Sequence, residues 1–180
     1  MAMLKKLLII AVIITTLPFI VAIFVDKNYE VEREVVINQS KDDVFQYLKY
    51  LKNQDEFSKW AKIDPLMTKA FRGTDGTVGF VSAWQSDDDE VGTGEQEIIA
   101  IIEGERIDFE LRFLKPFQST SPAYMITESI TDTSTKVKWG FSGHLDYPMN
   151  LMLVFIDFEQ MIGDDLQTGL DNLKKLHEQQ

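Results

Sequence analysis

The chain has 180 residues, no cysteine and a formal net charge of −11. The missing cysteines exclude disulfides, zinc–thiolate sites, iron–sulfur clusters and thiol nucleophiles, and leave the compartment open. Lys5 and Lys6 contribute two positive charges, so the rest carries −13 with no polybasic stripe, a balance that repels phosphate backbones and argues against nucleic acid as a partner.

Leu7 to Val25 is a 19-residue run without a charge. As a helix it spans about 28 Å, near the hydrocarbon thickness of a bilayer. Lys5 and Lys6 precede it, and Asp26, Lys27 and Asn28 follow. Three readings compete. A secretory signal has a shorter apolar core, about 7–15 residues, and small residues around its cleavage site. The one candidate is Ala22, with Ile20 where the second small residue belongs. A helix buried in a soluble core needs a polar face, and only Thr15 and Thr16 interrupt this run. Pro18 kinks a helix, which bilayer spans tolerate. An uncleaved single-pass anchor is favoured over a cleaved signal and a core helix. The positive-inside rule then places Lys5 and Lys6 in the cytoplasm and the domain on the extracytoplasmic side of the membrane. Residues 1–25 are thus an anchor and residues 26–180 one folded domain.

Tyr29 to Ile37 alternates and is valine-rich, as a strand is. Ser40 caps the next helix, with Asp43 three residues on. Val44, Phe45, Leu48 and Leu51 give that helix its apolar face. A short helical turn follows around Gln54 to Trp60, and Leu66 to Phe71 is a further candidate strand. Gly73, Asp75 and Gly76 turn the chain into a strand Val78–Gln85. The acidic tip Asp87–Glu90 leads to a strand Gly94–Ile102. Ile107, Phe109, Leu111 and Phe113 then alternate with Asp108, Glu110 and Arg112. Strands Ala123–Ile130 and Lys136–Ser142 complete an antiparallel meander with short turns. One helix is expected from Pro148 to Leu176, apolar nearly all round from Leu151 to Phe158 and striped by Ile162, Leu166, Leu170 and Leu173.

The order of elements resembles the START-like superfamily (SRPBCC, the polyketide cyclase/dehydrase and lipid-transport proteins with a Bet v 1-like helix-grip). The resemblance covers Tyr29 to Leu176. Its carriers are the opening strand and capped helix, Phe57-Ser-Lys-Trp60, Gly76-Thr-Val-Gly79 leading to Trp84, Gly92-Thr-Gly94-Glu-Gln-Glu97, the strand from Gly104 to Phe113, and Lys136-Val-Lys-Trp139-Gly140. It implies an α+β fold, a curved antiparallel sheet wrapped around a long C-terminal helix, with a hydrophobic pocket between them. It implies no particular reaction or ligand.

By alternation, Phe80, Ser82 and Trp84 face inward, then Ile99 and Ile101, then Phe109, Leu111 and Phe113, then Val137, Trp139 and Phe141. Trp60, Met125, and the helical Met152, Phe155, Phe158 and Ile162 complete the expected lining. Tyr124 and Ile126 are as apolar as Met125 and Thr127, so that strand's inward face stays open. Each inward aromatic is plain core as readily as cavity wall. Together, three tryptophans and twelve phenylalanines favour an apolar cavity.

Catalytic signals are few. His177 is expected in a frayed terminal turn and reads as a residue without a role. His144, with Asp146 two residues on, reads as a loop pair before it reads as an acid–base dyad. The glycine clusters lead into strands, whereas phosphate loops open helices. Asp87–Glu90 reads as a solvated hairpin tip, since the loop-closing glutamate of a calcium site is missing. Glu97, Tyr124 and Glu159 are the polar groups with a claim on the pocket, against rim positions for Glu95 and Glu97. No cofactor or metal is expected. The expectation is a membrane-tethered, non-catalytic domain for a hydrophobic small molecule or lipid, with a cyclase- or dehydratase-like enzyme as the alternative. A third reading is an interaction module docking through Leu151–Phe158.

Overall fold

The computed structural model describes residues 2–179. Helix α1 (Ala2–Ala22) carries the N-terminal apolar run, and its side chains are exposed almost to its end. Seven strands follow: β1 (Asn28–Ile37), β2 (Thr68–Arg72), β3 (Val81–Gln85), β4 (Thr93–Ile102), β5 (Arg106–Lys115), β6 (Ser119–Thr131) and β7 (Ser134–His144). They form one antiparallel sheet in the order β1-β7-β6-β5-β4-β3-β2. The strands β2 to β7 are thus a meander, and β1 closes on β7 from Asn28 opposite His144 to Ile37 opposite Thr135.

The crossing from β1 to the far edge is made by three short helices, α2 (Lys41–Lys49), α3 (Gln54–Phe57) and α4 (Lys59–Ile63). The expected cap forms: the Asp43 amide donates to the Ser40 hydroxyl, which satisfies one orphan donor of the first turn. Val44, Phe45 and Leu48 are buried, as their spacing requires. Asp75 joins this crossover to the turn before β3, accepting from the Leu51 amide at 2.8 Å.

Helix α6 (Phe158–Glu178) closes the grip on the sheet. Leu166, Leu170 and Leu173 are its buried stripe. Two glycines let it come close. A Cβ on Gly169 would lie 2.6 Å from the Trp139 ring, and one on Gly163 would strike the Arg33 guanidinium. The core runs from Val31 and Ile37 through Phe45, Phe57, Phe80, Ile98, Phe109, Met125 and Val137 to this stripe. The α+β helix-grip is present, with the apolar N-terminal helix ahead of it.

The structure departs from the sequence reading in four places. The expected single helix from Pro148 is broken into a turn Met149–Leu151, a short helix α5 (Met152–Phe155) and α6. Ile156 is extended, and the Asp157 carboxylate accepts from the Gln160 amide at 2.9 Å, so a new helix is capped there. The strand expected from Val78 begins at Val81, because Gly73, Gly76 and Gly79 all adopt positive φ and prolong the turn. In β4, Ile98 pairs with Phe109 and Ala100 with Asp108, leaving Ile99 as the extra residue of a bulge. The inward residues are therefore Gly94, Gln96 and Ile98, and Ile99 is 45% exposed. Finally, His177 is packed: its ring meets Tyr47 edge-on at 4.9 Å, and its carbonyl accepts from Gln39.

Candidate functional site

The helix does not fill the concave face at the β2–β5 side, and a cavity of about 270 Å³ remains there. Its floor is the inner face of the sheet: Ser82 and Trp84 from β3, Gln96 from β4, Leu111 and Phe113 from β5, Ala123 from β6, and Trp139 and Phe141 from β7. Ile162 and Leu166 of α6 cover it, and Leu51, Ser58, Trp60 and Ala61 wall one side. Gln54, Asp55, Met67, Lys69, Glu90 and Val91 complete the lining.

The aromatic rings hold one another in edge-to-face contact. Trp60 meets Trp139 at 6.2 Å, Trp84 meets Phe113 at 6.2 Å, and Phe113 meets Phe141 at 6.5 Å. The Trp84 indole N–H donates to the Val91 carbonyl at 3.2 Å, so its one polar atom is satisfied. Gly94 makes room for it, since a Cβ there would lie 2.7 Å from the indole. All three tryptophans of the chain line this one cavity. Lys69 and Asp55 form an ion pair and so neutralise each other.

Of the residues singled out from the sequence, Trp60, Trp84, Leu111, Phe113, Trp139, Phe141 and Ile162 stand on the cavity wall. Phe80, Phe109 and Met125 are fully buried in the core instead, packed against neighbours with no free face. Met125 resolves the open strand: Ala123, Met125 and Thr127 point inward, while Tyr124 and Ile126 do not. Ile99 is displaced by the bulge. Met152 and Phe155 leave the groove because the helix breaks after them, and Phe155 is 79% exposed. Phe158 stacks on Tyr29 at 5.1 Å, beside the cavity and not on its wall.

The three candidate polar groups are also elsewhere. Glu97 and Glu95 project from the opposite face of β4, where both bond the Arg112 guanidinium at 2.8 Å. Glu110 joins them, and these carboxylates hold the Arg112 pKa above its usual range. Arg72 and Arg112 in turn hold the Glu95 carboxyl below its ordinary value. The Tyr124 phenol donates to Glu32, and burial together with that bond pushes its pKa up. Glu159 is exposed and pairs with Arg33 at 2.6 Å. His144 sits between Asn28 and Asp146 at the sheet end, away from the cavity.

Sequence reasoning overlooked Gln96, Ser58, Leu51, Met67 and Val91 as lining. The alternation Gly94, Gln96, Ile98 would have exposed Gln96 had the strand been phased from its first half.

No family model and no curated protein matches the sequence. Solved structures do match in fold. Norcoclaurine synthase of Thalictrum flavum superposes with a TM-score of 0.61 at 13% identity, over 83% of this chain and 92% of that one. A protein of Nitrosospira multiformis gives 0.57 at 16% identity, over 83% and 96%. The di-domain aromatase/cyclase StfQ of the steffimycin pathway gives 0.61 at 10% identity, over 85% of this chain and 51% of that one. This chain has the START-like, Bet v 1-like helix-grip fold.

Proposed function

We propose that the chain is a membrane-tethered, non-catalytic domain that binds a hydrophobic small molecule or lipid in the cavity beneath α6. The observation that carries this reading is the cavity wall itself. Five aromatic side chains converge on it, while Glu97, Tyr124 and Glu159, the groups an acid–base mechanism would have used, all bond elsewhere. Those three therefore lend the cyclase-like alternative no support.

The tether is supported by where apolar residues are exposed. The linker after α1, the 64–67 loop, the β5–β6 turn and the 145–157 segment all lie at one end of the strands. Ile23, Phe24, Leu66, Phe117, Tyr147, Met149, Val154 and Phe155 are exposed there. Exposed apolar side chains gathered at the strand end next to an apolar helix suit a bilayer surface. The cavity residues Met67, Glu90 and Val91 belong to loops at that same end, so a ligand would enter from the membrane side.

Native mass spectrometry of the full chain, released from detergent after exposure to a lipid extract, tests the reading. The expected result is a retained apolar adduct. A bare mass, with tryptophan emission unchanged by the extract, would overturn it.

A further inference from the structure

We infer that the cavity selects an amphipathic ligand, one carrying a single neutral hydroxyl or carbonyl group seated against Gln96 and Ser82, over a pure hydrocarbon. The inference rests on reading the cavity as a ligand site. Gln96 is only 8% exposed, yet it lines the cavity and its carboxamide bonds no described residue. Ser82 stands directly opposite it in the β3–β4 register, on the same inner face, with its hydroxyl equally free among the described residues. An amide on the wall of an apolar cavity is hydrated by whatever water the cavity holds, and a ligand that displaces that water without replacing its hydrogen bonds loses affinity. The loss is avoided when the ligand supplies those hydrogen bonds itself.

The surroundings define the chemistry of that group. A carboxamide both donates and accepts, and so does a serine hydroxyl, so either suits a hydroxyl or a carbonyl. An anionic head is disfavoured: Lys69, the cation on the lining, is already paired with Asp55, and Glu90 adds a negative charge. Beyond Gln96 the floor is Leu111, Phe113 and Trp139, which offer a ligand body only apolar surface.

The test uses the full chain in lipid nanodiscs and two matched quenchers, ω-bromo-octanol and bromo-octane. Bromine quenches tryptophan at short range, and every tryptophan here lines the cavity. With concentrations referred to the bilayer phase, the alcohol is expected to quench the wild type about tenfold more effectively, the value of one buried hydrogen bond. Gln96→Leu should abolish that preference while retaining quenching by bromo-octane, and Ser82→Ala should reduce it. Equal quenching of the wild type by both probes, or a preference surviving in both variants, overturns the inference and leaves the ligand site standing. Quenching by neither probe overturns the ligand site itself.

Discussion

His177 lies in the last turns of α6, a position that invites neglect, yet its imidazole is half-buried against Tyr47. Burial disfavours the charged ring and lowers its pKa, with Asp43 opposing in part. The unfolded chain therefore binds a proton at higher pH than the folded one. Stability from this group is complete above the ordinary histidine value of about 6.5 and is lost as pH falls toward the folded value. Thermal midpoints should decline as pH is lowered through this window, and His177→Asn should flatten that limb. An unchanged limb would assign the acid sensitivity to carboxylates such as Glu95, which titrate lower because arginines hold their pKa down. Residue by residue, sequence legibility followed strand phase. Trp84, Phe113, Trp139 and Phe141 were readable because no bulge precedes them in their strands. Gln96 was not, because an isoleucine run from Ile98 to Ile102 conceals a bulge: apolar residues on both sides of it give no phase.

At the scale of elements, the break between α5 and α6 decides most. A segment apolar nearly all round reads as one helix because nothing in its pattern marks a face. Only Asp157, a single capping residue, tells where the second helix starts. The break also frees the preceding turn to meet α1. Asn150 is fully buried there, and its amide donates to the carbonyls of Ala22 at 2.7 Å and Val25 at 2.9 Å. The end of an apolar helix leaves carbonyls without partners, and this side chain takes up one of them and the linker beyond. Asn150→Ala should lose about 1 kcal/mol per hydrogen bond. For the two bonds together, tryptic cleavage after Lys27 should then accelerate by roughly thirtyfold, by the same conversion. Cleavage at the wild-type rate would show that the seam is held by other contacts.

Across the whole molecule, strand order and the closing helix were legible because short turns force a meander and a helix stripe must find a sheet. The cavity was legible only as a tendency, since a deficit of filling is a property of three packed elements together and not of any residue in them. The proposed orientation of the domain over a membrane was not legible at all, because the exposed apolar residues that suggest it come from four separate loops. A chain without cysteine makes that orientation accessible to single labels. With an environment-sensitive fluorophore on Phe155→Cys, emission in vesicles should match an apolar setting. The same label on Asp132→Cys, in the turn at the other end of the strands, should report water. Identical emission from both sites would show that the end bearing Phe155 does not rest on the bilayer.

The Asn150 clasp bears on how cargo would travel. A pocket on a long flexible leash can ferry what it holds across a gap, sweeping a radius set by the leash. Here the leash is stapled down within a few residues of the helix end. If α1 is the proposed membrane tether, the pocket would stay at one height above one spot, and a ligand would leave only into the same leaflet or to an acceptor that comes to meet it. On the proposed tethered reading, such a molecule would act as a docking port, its throughput governed by the arrival of partners and not by its own excursions.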